Sequence, residues 1–139
     1  ICDAATRRGR EERVLIALEE VLGVPSGNAL AASVLRSRPE WLAVADLVSV
    51  ICSGPWDVRW PRDLASGARQ TRASVFRRCA ALGYARTEHF VTAVRLTAYQ
   101  CLVRRYGVKP PRAWWFVGVD DHANFRRQAR HARLEVPEG

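Results

Sequence analysis

Apolar residues recur every three or four positions along most of the chain, and Gly or Pro interrupts the pattern before any segment grows long. That spacing gathers them on one stripe of an α-helix, whereas a half-buried strand needs alternation by two. No run with that alternation lies between hairpin turns. The sequence therefore predicts an all-α fold of short helices. At 139 residues the chain can bury one compact core, with room for an appendage, and is too short for two full domains.

The pattern divides into segments. Val14, Leu15, Leu18, Val21 and Leu22 mark a helix over 10–22, stopped by the run from Gly23 to Asn28. A second helix is predicted over 28–37, ahead of Pro39, and a third over 40–53 with Trp41, Leu42, Ala45, Val48 and Cys52 facing inward. Trp56 and Trp60 are expected to plug the next junction, and Pro61 suits the first turn of a short helix through Leu64 and Ala65. Thr71 is an N-cap for a helix that buries Val75, Cys79 and Leu82 and stops at Gly83. A long helix over 87–106 turns Phe90, Val94, Ala98, Cys101 and Leu102 inward and ends at Gly107. Pro110-Pro111 opens a helix containing Ala113, Trp114 and Val117, closed by Gly118. Asp120 or Asp121 caps a last helix through Arg133, and 135–139 is a tail.

The net charge of +8 is unevenly spread: residues 1–68 hold 8 basic against 9 acidic side chains, and residues 69–134 hold 14 against 3. A basic block of this kind is the electrostatic footprint of a phosphate-backbone binder. The competing reading is an arginine-rich solvated face, since Lys109 is the one lysine. Apolar runs at 14–18 and 42–52 are too short or too interrupted by charge for a membrane span or a signal peptide, so a cytoplasmic protein is expected. The chain begins at Ile1 and contains no Met, which reads as a piece of a longer protein or a processed one. Cys2, Cys52, Cys79 and Cys101 show no CxxC spacing, and with His89, His122 and His131 they form no metal pattern; buried, reduced thiols are expected. No nucleophile beside a base, no carboxylate pair in an apolar setting and no phosphate-cradling Gly loop is found, so no catalytic residue and no cofactor is expected.

Phe-Arg-Arg occurs twice, at 76–78 and 125–127. Each copy falls in a capped basic helix that follows a short helix and a tight turn, and the long helix joins the two. A helix, a turn and a second helix presenting polar side chains is the helix-turn-helix plan. The intervals resemble the DNA-binding domain of the AraC/XylS family of bacterial transcription regulators. The motif residues of the first unit are Leu64-Ala65, Thr71, Val75 and Arg77; those of the linker are Phe90, Arg95-Leu96 and Leu102; those of the second unit are Gly118-Val119, Asp120, Asp121 and Phe125 to Ala129. The match covers roughly 44–134. Cys79 and Ala129 stand where the family favours Phe, Tyr84 where it favours Gly, and Pro110-Pro111 with Trp114-Trp115 replace its aliphatic second-unit helix. The Phe-Arg-Arg identities lie 49 positions apart, whereas the family alignment pairs Arg77 with Arg127 at 50.

The resemblance implies two helix-turn-helix subdomains joined by a linker helix, binding double-stranded DNA without a cofactor to regulate transcription. On the first reading helix, Thr71 and Arg72 would hold phosphate, Ala73 and Phe76 would touch thymine methyls, and Arg77 would grip guanine. On the second, His122, Ala123, Arg126 and Arg127 form the corresponding face, with Arg130 toward phosphate. Residues 1–43 form an extra N-terminal helical segment of unknown role, with a homodimer through it as one expectation. Two other readings stand beside this one. One is a degenerate helix-turn-helix module that binds RNA polymerase or another regulator through an exposed Pro-Pro and Trp-Trp patch; the other is a non-specific nucleic-acid binder.

Overall fold

The computed structural model describes residues 24–136, and among these every regular element is helical. The helix expected over 10–22, Cys2 and the end of the tail lie outside the described residues. Seven α-helices follow one another: α1 (Gly27–Ser37), α2 (Ala45–Ser53), α3 (Pro61–Gly67), α4 (Arg72–Ala81), α5 (Thr87–Arg104), α6 (Pro110–Phe116) and α7 (His122–His131). α5 is the spine, and α1, α2, α4, α6 and α7 all pack on it, while α3 lies between α2 and α4. One continuous core runs from Val24 through Trp41, Leu47, Phe90 and Leu102 to Trp114 and Phe125. Trp41 and Tyr84 each meet Phe90 edge-on with ring centroids 5.5 Å apart, at the base of α5.

Local chemistry accounts for most boundaries. Ser26 caps α1 by accepting from the Ala29 amide. The amides of Arg59 and Trp60 donate to the Asp63 carboxylate at 3.0 and 2.8 Å, which fixes the start of α3. Gly83 at φ +95° and Gly107 at φ +67° let the chain leave α4 and α5 in the left-handed conformation. α5 ends at Arg104 and α7 at His131, each two residues earlier than the sequence predicts.

Two inward assignments are corrected. Residues Pro39–Val44 wind as a 3-10 helix before α2 begins, in place of one helix over 40–53. With three residues per turn, Trp41 and Val44 fall on one side and are buried, and Leu42 is turned out with 64% of its surface exposed. Trp60 does not plug its junction: as the extended residue before α3 it is 60% exposed, and Val58 is the buried residue of that stretch.

The two helical pairs repeat with a defined offset. α3 and α6 both begin at Pro, at 61 and 110, and both run seven residues, an offset of 49. Each leaves through a left-handed residue at the same offset, Arg69 at φ +55° and Gly118 at φ +81°. The next amide then returns to the helix, Gln70 to the Ala65 carbonyl at 2.9 Å and Val119 to that of Trp114 at 3.0 Å. From the N-caps onward the offset is 50. Thr71 Oγ1 accepts from the Ser74 amide at 3.1 Å, and Asp121 Oδ1 from that of Asn124 at 3.0 Å. Val75 and Cys79 are buried on α4 as Phe125 and Ala129 are on α7. The second turn therefore carries one extra residue, Asp120, between its left-handed residue and its cap.

Candidate nucleic-acid interface

The offset of 50 determines which side chains of α4 and α7 correspond, because burial sets the rotation of each helix. Phe125 is 4% exposed and Phe76 is 48% exposed, so the two Phe-Arg-Arg runs are not equivalent. Phe125 matches Val75, and Phe76 matches Arg126. A slip of one residue would rotate either face by about 100°.

All ten residues expected to read or hold DNA are solvent-exposed. On the first helix these are Thr71, Arg72, Ala73, Phe76 and Arg77; on the second they are His122, Ala123, Arg126, Arg127 and Arg130. Ala73, Phe76 and Arg77 on α4 and Ala123, Arg126, Arg127 and Arg130 on α7 face away from the buried stripe, whereas Thr71 and Arg72 lie at the start of α4 and His122 lies at the start of α7, edge-on to Trp114. α4 contains no acidic residue, and α7 contains none after its cap, so each face is cationic.

The second Arg of the first run behaves differently. Arg78 turns toward α2, where Nη1 donates to Asp46 Oδ2 at 2.8 Å and Nη2 to Asp46 Oδ1 at 2.6 Å. The same guanidinium donates to Gln70 Oε1 at 2.9 Å and to the Ala43 carbonyl at 3.1 Å. Arg78 holds the Asp46 carboxyl below its usual range through this side-chain hydrogen bonding, against a smaller opposing effect of burial. Gln70 Nε2 also donates to Asp46 Oδ2, at 2.9 Å. This network fixes α4 against α2, and at the matching position of α7 stands Gln128. Sequence reasoning missed it because Asp46 lies 32 positions from Arg78 and no local pattern joins them.

The second pair is built on bulk instead. Trp114 stands where Ala65 stands in the first pair, and its ring lies 5.2 Å from that of Phe125 and 5.6 Å from that of His122, all edge-on. Its other face stacks on Tyr99 of α5 at 3.8 Å with the rings 13° from parallel. A small residue lets α3 close directly on α4, whereas the indole spaces α6 from α7 and wedges α7 against the spine.

Arg95 ties the spine to the chain before α3. Its Nη2 donates to the carbonyls of Pro55 and Val58, at 3.0 and 2.5 Å. Burial lowers its pKa, with the nearby Asp120 charge acting in the opposite sense. Arg95 Nε and Trp56 Nε1 are buried without hydrogen-bond partners among the described residues, in the wall of a cleft of about 550 Å³ between the 55–60 segment and α7. Gly118 sits against the same segment: a Cβ there would meet the Pro55 carbonyl oxygen at 2.9 Å.

Among the described residues no cluster of His, Cys, Asp or Glu could hold a metal ion, and no helix is long and apolar enough to cross a membrane. Cys52, Cys79 and Cys101 are free and buried. No family model, curated protein or solved structure matches the chain.

Proposed function

We propose that the chain is a sequence-specific double-stranded-DNA binder that regulates transcription, built as two helix-turn-helix subdomains on a common linker helix. The observation that carries this reading is the repeated pair itself: the same helix exit, the same capped second helix and the same outward cationic face, twice, on α5. α4 and α7 would each lie in a major-groove segment, about one helical turn, or 34 Å, apart along one side of the duplex. The amides at the N-terminus of α4, with Thr71 and Arg72, would face phosphate, and Arg77 would take guanine O6 and N7. Resemblance to the AraC/XylS domain supports the same assignment. Arg78 has no part in it, since its hydrogen bonds go to Asp46, Gln70 and Ala43.

Selection of bound duplexes from a randomised pool near physiological salt tests the reading. A bipartite motif with half-sites about ten base pairs apart is expected; one half-site alone would make α7 a backbone clamp. Enrichment of nothing, with binding that falls steeply with salt on every duplex, would leave a non-specific nucleic-acid binder.

A second reading has its own observation. Trp115 is 57% exposed and lies 5.8 Å from the half-buried Trp56 and 5.2 Å from Phe116, an aromatic patch on the outer side of α6. Such a patch suits a protein partner such as RNA polymerase. Trp114, by contrast, is core, so only half of the Trp-Trp pair belongs to the patch. Loss of polymerase binding by Trp115→Ala, with DNA binding unchanged, is the outcome this reading requires.

A further inference from the structure

At equivalent positions the two reading faces differ in chemistry. On α4, Ala73, Phe76 and Ala80 are exposed at i, i+3 and i+7 and make one apolar strip. On α7 the matching positions hold Ala123, Arg126 and Arg130. Of the large apolar side chains exposed among the described residues, Leu42, Trp60, Phe76 and Trp115, only Phe76 lies on a reading helix. Phe76 is not part of the core cluster formed by the described residues; Val75 and Cys79 occupy the buried positions of α4 on either side of it in sequence. Arg72 and Arg77 flank the strip, both exposed.

An apolar strip between two cations asks for an apolar target beside phosphate. The floor of the major groove offers one such group, the C5-methyl of a pyrimidine, carried by thymine and by 5-methylcytosine. We propose that Phe76, supported by Ala73, makes α4 a reader of C5-methylated pyrimidines, whereas α7, with Arg126 and Arg130 at the matching positions, binds without sensing the methyl group. Binding then responds to the methyl group itself, and cytosine methylation at the sensed position raises affinity. This rests on the DNA-binding reading above and deepens it.

The probe is the duplex enriched by selection, with each thymine replaced in turn by deoxyuridine, titrated by fluorescence anisotropy at fixed salt. The half-site under α4 is the one whose base preference Arg77→Ala relaxes. At one or two of its thymines, deoxyuridine is expected to lower wild-type affinity about fourfold, the ~0.8 kcal/mol of one buried methyl. The loss disappears in Phe76→Ala, and no thymine of the other half-site behaves this way. At the sensed position a 5-methylcytosine pair binds more tightly than a cytosine pair, again only with Phe76 present. Phe76 is half exposed, so the variant keeps its fold, as an unchanged thermal melt will show. Equal losses in both proteins, or no loss at any thymine, overturn the role of Phe76 and leave DNA reading standing. Absence of any enriched duplex overturns both.

Discussion

The guanidinium of Arg78 meets the carboxylate of Asp46 in a bidentate pair, with N–O distances of 2.8 and 2.6 Å, and this pair joins the first reading helix to α2. The adjacent Arg77 points to solvent. Two consecutive arginines in one basic helix thus have separate tasks, because 100° of rotation per residue sends one inward and one outward.

Removing the pair with Asp46→Asn is expected to cost about 1 kcal/mol at pH 7, the upper end for a partly exposed pair held in a network. The Asp46 pKa is lowered on folding by the Arg78 hydrogen bonds. A carboxyl lowered in this way adds stability above its unfolded pKa of about 3.9 and loses it as the pH falls through the lower folded value. Denaturant titrations of wild type and Asp46→Asn should therefore differ at pH 7 and converge as the pH falls through the lowered folded pKa of Asp46. A difference that does not shrink as the pH is lowered through the acid range would mean that the charge of Asp46 is not what holds the helices.

Arg77→Ala should relax base preference at one position, at ~1 to 3 kcal/mol of discrimination. Arg104→Ala, at the exposed C-terminal end of α5, should weaken all duplexes alike and lower the salt slope by about 1 if it meets a phosphate. Equal losses on specific and random duplex from Arg77→Ala would remove it from base reading.

Gly118 and Gly83 both have positive φ, +81° and +95°, yet their surroundings differ. Around Gly83 nothing among the described residues lies within 4 Å of an added Cβ, so Gly83→Ala should cost only the backbone penalty, about 1 kcal/mol. At Gly118 the Cβ would also strike the Pro55 carbonyl, and Gly118→Ala should cost roughly 2 to 4 kcal/mol. Equal costs in urea titration would show that the 55–60 segment yields freely.

Burial pushes the Cys52 thiol up to about 12, with Cys101 adding to it, and pushes the Cys79 thiol up to about 11. The thiolate is the reactive form. Both should resist a thiol reagent at pH 8 in the native protein and react once it is unfolded, as mass spectrometry of labelled peptides would show. A thiol pKa raised on folding leaves stability untouched below the unfolded value of about 8.5 and reduces it as the pH rises above that. Rapid native labelling of either cysteine would indicate local opening of α2 or α4.

Much of the architecture is legible locally. Ser26, Thr71 and Asp121 cap the helices they precede, Pro61 and Pro110 open helices, and Gly83, Gly107 and Gly118 end them. Each of these rests on atoms within one turn of chain, so the sequence alone determines it. The inward stripe of α5 was readable for the same reason, with Phe90, Val94, Ala98, Cys101 and Leu102 all buried.

Where choices depend on distant neighbours, tertiary structure decided. Leu42 and Trp60 are as apolar as Trp41 and Val58, but only the latter two face the core, because a 3-10 turn and an extended residue rotated the others outward. The two copies of Phe-Arg-Arg lie 49 positions apart where the family alignment asks for 50, and the burial of Val75 and Phe125 at an offset of 50 shows that the two Phe residues are not equivalent. Helical propensity, caps and stops act over three or four residues, so they settle most helix starts and stops to within a couple of residues, though not the 3-10 turn ahead of α2. The rotation of a helix about its axis is set by what packs on it, and for α4 that partner, Asp46 on α2, lies 32 positions away in the chain.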